Sequence, residues 1–237
     1  MIYFSVCTRK NKQPKSLSKL ISYCNSNNNI RINISYDSSS IYEGHKQNIN
    51  FFNNLNIKDN DIIVLCHDDL EILSKSEDLI HYLEMARKPK VGFLGLAGGC
   101  YVPQDGGWWN ARKHGAARGF VFQGDSQENM YPNYFGKPGQ VVVMDGILLA
   151  ATYKTIKTVG LDEPAYLKTG WDFYDIHLTY KAHLDGFFNY VVPIIAMHES
   201  SGQMREGWYQ ARLNFLKHHA STLPYSKLVV DKTNGLP

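Results

Sequence analysis

The chain has 237 residues, of which 43% are hydrophobic and 13% aromatic, so it can bury a core as one large or two small globular domains. Its formal net charge of +3 argues against the strongly basic surface of a duplex DNA binder. The four cysteines include no C-x-x-C pair, which indicates reduced core residues, and no apolar run reaches the roughly 20 residues that span a bilayer. Without a recognisable signal peptide, we expect a cytoplasmic protein with at most a peripheral membrane contact.

The first hundred residues predict a β-α-β-α-β order. The run at residues 62–66 is continuously apolar, as is typical of a parallel strand covered on both faces. This order is that of a doubly wound, nucleotide-binding half. The predicted strands cover residues 2–7, 30–35, 62–66 and 91–96, and the predicted helices cover residues 17–23, 43–55 and 70–87.

The remainder of the chain begins with residues 98–139, which are rich in glycine and aromatic residues and lack periodicity. Such a length predicts a functional or mobile loop. Its Trp108 and Trp109 either stack on a sugar or anchor the loop. Beyond it, the pattern predicts strands over 141–144 and 188–197, the second interrupted at Pro193, and helices over 172–185 and 208–219.

His67, Asp68 and Asp69 follow the apolar strand at 62–66. Ligands of open α/β sheets bind beyond the carboxyl ends of the strands. Carboxylates at that position can hold Mg²⁺ or Mn²⁺ together with a diphosphate. Equally, Asp69 can cap the helix predicted after it.

Two acids, Asp172 and Asp175, stand three residues apart at a predicted helix start. One of them can be a general base that takes a proton from an acceptor hydroxyl. Acids in a first helical turn also satisfy free N–H groups and the helix dipole, and without further context this structural role is favoured.

Asp145-Gly146 and His198 each follow a predicted strand. The glycine would let the backbone approach a ligand, and the aspartate can accept sugar hydroxyls, although an ordinary Asp-Gly turn is equally consistent with the pattern. His198 is either a metal ligand or a packed polar residue.

Taken in order, these segments resemble the family 2 glycosyltransferases of GT-A fold, and most of all a bacterial glycosyltransferase-like group that includes a streptomycin-biosynthesis protein. IIVLCHDDLEIL resembles the strand that ends in a His-x-Asp version of the D-x-D motif, and VGFLGLAGG resembles the glycine-rich strand after it. The other similar segments are VVVMDGILLAA, WDFYDIHLTYKAHLDGF and VVPIIAMHESSG, so the likeness spans residues 60–202.

The resemblance implies a role for each of these residues. It makes Asp69, His198 and His67 metal ligands, although His67 replaces the usual acid, and it makes Asp175 the base with Asp172 in reserve. It places Asp68 at the ribose. It also places Thr8 and Asp37 at the nucleobase and ribose, and it suggests a contact for Lys46.

We therefore expect one α/β domain of GT-A type, with a Rossmann-like, mostly parallel central sheet flanked by helices. Residues 1–97 would be the nucleotide-binding half, residues 98–140 a loop-rich insertion and residues 141–237 the acceptor and catalytic half. One base without an evident nucleophile indicates an inverting transfer from a nucleoside-diphosphate sugar, UDP-sugar first, with Mn²⁺ or Mg²⁺ as cofactor.

The acceptor stays open between a glycan, a lipid-linked sugar, a protein and a modified base. Two other functions also stay open. A nucleotidyltransferase would need a glycine in the basic segment after the first strand, and residues 8–12 contain none. A degenerate, non-catalytic sugar-binding protein is consistent with the altered His67.

Overall fold

The structure is a computed structural model that describes residues 1–9, 14–200, 202, 204–223 and 236. The α-helices of this part are α1 Lys15–Asn25, α2 Ile41–Asn54, α3 Ser76–Leu83, α4 Tyr153–Val159, α5 Tyr174–Leu184 and α6 Glu206–His218. The strands are β1 Ile2–Cys7, β2 Ile30–Ser35, β3 Ile62–His67, β4 Leu70–Ile72, β5 Val91–Gly95, β6 Ala97–Gly99, β7 Ala117–Gln123, β8 Tyr131–Gly136, β9 Gly139–Val141, β10 Val143–Met144, β11 Leu148–Thr152, β12 Phe188–Val191 and β13 Ala196–His198. Short 3₁₀ turns cover Glu84–Arg87 and Trp108–His114.

The central sheet has the strand order β2-β1-β3-β11-β5-β12-β9. Strands β2, β1, β3, β5 and β12 run in one direction, whereas β11 and β9 run against them. Residues 62–66 of β3 are all buried, as their unbroken apolar run predicts for a strand covered on both faces. The predicted α/β class, with a mostly parallel central sheet flanked by helices, is confirmed.

A second, smaller sheet has the order β10-β6-β7-β13-β4, with β8 on the other side of β7. Much of it comes from residues 98–139, so the prediction of a long irregular loop there was wrong. The glycines that indicated a loop allow close backbone approach instead. A Cβ atom on Gly98 would lie 2.3 Å from the Val143 carbonyl oxygen, and one on Gly119 would lie 2.1 Å from that of Leu96.

The prediction of one helix over residues 70–87 was also wrong at its start. Residues Leu70–Ile72 form β4, which pairs antiparallel with β13, and the helix begins only at Ser76. The apolar residues of β4 fit a short buried strand as well as a helix, and the tertiary pairing decides between the two. Asp69 therefore belongs to a turn between two strands and does not cap a helix.

Helix α5 begins at Tyr174 and not at Asp172. Phe173 precedes it with φ +66°, in the left-handed region. The expectation that Asp172 and Asp175 share the first turn of one helix was therefore wrong, and the two carboxylates belong to different local structures.

The four cysteines are buried free thiols, as the sequence predicted. Among the residues described, no helix has the length and apolar character needed to cross a bilayer.

Candidate active site

The chain passes from the central sheet to the smaller sheet at the turn His67-Asp68-Asp69. His67 ends β3 and Leu70 begins β4, so the turn lies where the two sheets meet. Strand β13 pairs with β4 in the register that sets His198 opposite Leu70. The Glu199 N–H then donates to the Asp69 carbonyl oxygen at 2.8 Å. This register, which the sequence does not show, brings His198 to the turn.

Three side chains meet at that point with one ligand atom each. The Asp69 Oδ1 atom lies 3.1 Å from His198 Nε2 and 3.6 Å from His67 Nδ1, and the two ring nitrogens are 3.4 Å apart. Ligand atoms bound at about 2.0–2.2 Å to one ion lie roughly 3.0–3.6 Å from each other in octahedral or tetrahedral geometry. The triangle therefore has the dimensions of one face of a metal coordination shell.

The triangle forms part of the wall of a cavity of about 250 Å³. Five carboxylates line this cavity together with two guanidinium groups, those of Arg9 and Arg205. Acids thus outnumber the permanent cations, which makes the cavity a favourable place for a bound cation. The five acids are Asp68, Asp69, Asp145, Asp172 and Asp175.

Asp175 is held in place by the backbone of two segments. Its Oδ2 accepts the Gly146 N–H at 2.8 Å, and its Oδ1 accepts the Ile176 N–H at 2.8 Å. Burial, and then the neighbouring charge of Asp145, raise the pKa of Asp175 to about 7, against the lowering effect of these two hydrogen bonds. A carboxyl group with that pKa gains and loses its proton near neutral pH, as a general base requires.

The packing around Asp175 requires a glycine at position 146. A Cβ atom at position 146 would lie 2.3 Å from the hydroxyl oxygen of Tyr174 and 3.0 Å from the Asp175 Cβ. The fully enclosed Tyr174 in turn donates its hydroxyl to the Gly146 carbonyl oxygen at 2.8 Å. Packing against α5, a role not predicted from the sequence, therefore accounts for Gly146.

Asp172 also lines the cavity, but in a different setting. A Cβ atom on Gly207, in the first turn of α6, would lie 2.6 Å from Asp172 Oδ2. The carboxylate therefore contacts the start of α6 and not the first turn of α5. Burial raises its pKa as well.

Three of the residues suggested for the nucleotide do not line this cavity. Thr8 is buried, and it joins the ends of β1 and β2 by accepting the Ser38 N–H and donating to the Ser35 carbonyl. Asp37 is exposed in a left-handed turn beside it, with φ +54°. Lys46 forms an exposed ion pair with Asp162.

Several cavity residues were missed in the sequence because no motif marks them. Arg9 lies with its guanidinium 4.7 Å from the centre of the Trp171 ring, and the Trp171 indole N–H donates to the Ser39 carbonyl oxygen. Arg205 and Trp208 come from the start of α6, which is remote in sequence. Only the fold brings them to the acids. Of the basic segment 8–12 that was weighed for a nucleotidyltransferase, residues 10–12 lie outside the part of the chain that is described.

Two groups stay uncharged, His45 outside the lining of the cavity and Cys7 in it. Burial, with a smaller contribution from His67, lowers the pKa of His45 to about 3, and its Nδ1 atom lies 2.8 Å from Ser5 Oγ. Burial raises the pKa of the Cys7 thiol, which lines the cavity and is therefore protonated and a poor nucleophile. Neither group supplies charge or covalent chemistry to the site.

Comparison with known proteins places the sequence in a family. Residues 23–225 match the family described as "Glycosyltransferase like family". No curated protein sequence matches the chain.

Two solved structures are similar at low identity. A197 from STIV is 10% identical, with a TM-score of 0.46 over 86% of this chain and 96% of that chain. GalNAc-T7, solved with UDP, GalNAc and Mn²⁺, is 10% identical, with a TM-score of 0.49 over 97% of this chain and 52% of that chain. The chain thus spans about half the length of the GalNAc-T7 structure.

Proposed function

The chain belongs to the glycosyltransferase-like family, and from that premise we propose that it moves a sugar from a nucleoside-diphosphate sugar to a hydroxyl acceptor with the help of a divalent ion. The observation that carries the proposal is the triangle of Asp69 Oδ1, His67 Nδ1 and His198 Nε2. A UDP-sugar is the first donor to test, and the arrangement proposed for the fold is of GT-A type, in the streptomycin-biosynthesis-like group named above.

His67, Asp69 and His198 would hold the ion. Two imidazoles with one carboxylate suit a first-row transition ion such as Mn²⁺ better than Mg²⁺, which prefers oxygen ligands. When bound, the ion would neutralise the charge that develops on the departing diphosphate.

Cationic and aromatic side chains at the same cavity would bind the rest of the donor. Arg9 and Arg205 are the two guanidinium groups that line it, and guanidinium groups pair well with phosphate oxygens. Trp171 offers an aromatic face beside Arg9. Asp68 would meet the ribose, and the nucleotide would extend beyond the cavity towards Thr8 and Asp37, the residues proposed for the nucleobase and ribose.

Asp175 is the proposed base, because its pKa of about 7 allows it to accept the acceptor's proton near neutral pH. Asp145, beside it, would accept hydrogen bonds from sugar hydroxyls. The acceptor oxygen would attack the anomeric carbon as the bond to the diphosphate breaks, and the anomeric configuration would invert. Asp172 is the alternative base, since its carboxylate lines the same cavity.

We further propose that residues 1–97 bind the nucleotide, that residues 98–140 form an insertion and that residues 141–237 carry the acceptor and the base. A cytoplasmic location with at most peripheral membrane contact completes the proposal.

The test is a donor screen. The purified protein is mixed with single nucleotide sugars, with Mn²⁺ or with a chelator, and released nucleoside diphosphate is measured. We expect release from one donor in Mn²⁺ and none in chelator, with a loss of about 100-fold or more in Asp69→Ala and in Asp175→Asn.

Asp185→Ala, an exposed acid at the end of α5, is the matched control and should keep full release. If Asp172→Asn loses activity while Asp175→Asn keeps it, Asp172 is the base. Nucleotide-sugar binding without release from any donor would instead identify a non-catalytic sugar-binding protein.

A further inference from the structure

A second cavity, of about 340 Å³, opens directly beside the first. Asp145, His198 and Trp208 belong to the walls of both. A molecule in the second cavity would therefore lie next to the proposed metal face and next to the Asp145-Gly146 segment that holds the base. The residues that distinguish its lining are Trp108, Trp109, Phe135, Gln123 and Asn133.

The charge of this lining differs from that of the first cavity. Among the described residues that line it there is no lysine or arginine, whereas Arg9 and Arg205 line the first cavity. Phosphate groups need such cations, so a nucleic-acid backbone or a lipid phosphate does not fit this surface. Asp145 is the only acid among the described residues that line it, so the cavity suits a ligand that carries no phosphate group.

The aromatic rings that form this wall differ in burial. Trp108 is only 4% exposed and packs edge-on against Phe135, at 4.8 Å between ring centres, so it anchors the wall. Trp109 and Trp208 are half-buried, with ring centres 5.6 Å apart. An indole face that is only partly covered can stack on the apolar C–H face of a ligand ring.

Two amides supply the polar part of the cavity. Asn133 donates to Gln123 Oε1 at 2.7 Å, which fixes the two side chains against each other. The pair still has the chemical capacity to donate from the Gln123 amide nitrogen and to accept at the Asn133 carbonyl oxygen. Aromatic faces with a few fixed amides are the combination that a pyranose needs, because its ring faces are apolar and its rim carries hydroxyl groups.

We propose that this aromatic cavity binds a neutral pyranose unit of a glycan acceptor, so that the enzyme extends a sugar and not a protein side chain, a lipid phosphate or a base. The proposal rests on the proposed function. A volume of about 340 Å³ lies at the lower end of the roughly 300–1,000 Å³ typical of ligand sites, which fits one or two sugar rings.

The first test needs no donor. Methyl glycosides of glucose, galactose, N-acetylglucosamine and mannose are titrated into the full-length protein, and tryptophan fluorescence is followed. We expect a saturable change with at least one glycoside, weakened about tenfold in Trp109→Ala and much less in Trp109→Phe. Tyr134→Ala is the matched control, because Tyr134 is an exposed neighbour on β8 that does not line the cavity.

The second test uses the glycoside that binds as acceptor. In Trp109→Ala we expect the acceptor KM to rise about tenfold while the donor KM stays unchanged. A rise in donor KM would place the donor sugar in this cavity and overturn the proposal, as would the absence of any glycoside binding. Glycoside binding without release from any nucleotide sugar would support the cavity assignment and contradict the proposed function.

Discussion

At the residue scale, the site depends on pairs of groups whose charges act on each other. The Asp69 Oδ1 atom lies within 3.6 Å of two imidazole nitrogens, and Asp145 lies close enough to Asp175 to raise its pKa. The contacts of Asp69 with the two imidazoles favour a cation between the three ligand atoms. The negative charge of Asp145 keeps Asp175 protonated up to neutral pH.

The rate at saturating donor should rise with pH and level off above about pH 7. The reason is that burial and Asp145 raise the pKa of Asp175 to about 7, and only the deprotonated form can accept a proton. Asp145→Asn removes the neighbouring negative charge, so the midpoint measured on the remaining activity should move to lower pH. The pH–rate profile of Asp185→Asn, which changes an exposed acid at the C-terminal end of α5, should match the wild type. An unchanged midpoint in Asp145→Asn would contradict the coupling.

Residues next to a strand end were predictable, whereas residues from remote segments were not. His67, Asp69, Asp145 and His198 each follow an apolar run, and that local rule placed them at the carboxyl edge of the sheets. Arg205 carries no such signal, because its place at the cavity depends on where α6 packs.

At the element scale, the position of His198 depends on the pairing of β13 and on Glu199, the residue directly after the strand. On one side β13 pairs with β4, which follows Asp69 directly. Directly after β13, Glu199 Oε2 accepts the Ser16 N–H at 2.8 Å and the Ser16 hydroxyl at 2.7 Å, at the first turn of α1. A carboxylate at a helix N-terminus is favoured by the free N–H groups there.

Glu199→Gln should therefore weaken metal binding although Glu199 is not a ligand. Loss of the charge at α1 costs about 1 kcal/mol, which should lower Tm by roughly 2–4 °C and loosen His198. Ser16→Ala, which removes only the hydroxyl contact, should show a smaller change in the same direction. Thermal unfolding and calorimetric Mn²⁺ titration measure both effects.

Glu128→Gln, an exposed acid elsewhere on the surface, is the control for Glu199→Gln. Equal Tm and equal Mn²⁺ affinity in Glu199→Gln and in wild type would show that the contact between Glu199 and α1 does not position the site.

The errors of sequence prediction also lie at this scale. Leu70–Ile72 forms a strand because β13 is available as a partner, and β13 is more than 120 residues away in sequence. Gly98 and Gly119 were read as loop residues, yet their missing side chains allow neighbouring strands to approach. Local patterns give an element's apolar character, but they do not give its partner.

At the scale of the whole molecule, the proposed metal would connect the two sheets. His67 comes from β3 of the central sheet, His198 comes from β13 of the smaller sheet, and Asp69 lies in the turn between them. An ion held by all three would resist the separation of the sheets on unfolding, and a ligand that binds only the folded state stabilises it by mass action.

Mn²⁺ at a hundredfold excess over its Kd should therefore stabilise the protein by about 2.7 kcal/mol and raise Tm by roughly 5–10 °C. His198→Ala should lose most of this rise, because it removes the only ligand from the smaller sheet. His81→Ala, which changes an exposed histidine on α3, should keep it. A rise of the same size in His198→Ala would mean that the ion binds elsewhere.

The central claim is that His67, Asp69 and His198 hold an ion that binds the donor's diphosphate, and calorimetric titration of nucleoside diphosphates tests it most directly. UDP, GDP and dTDP are titrated in turn into the wild type in Mn²⁺, into the wild type in chelator and into Asp69→Ala in Mn²⁺. The account predicts tight binding of one nucleotide in the first case and a loss of at least about tenfold in the other two. Binding of that nucleotide that is as tight in chelator and in Asp69→Ala as in the wild type with Mn²⁺ would contradict it.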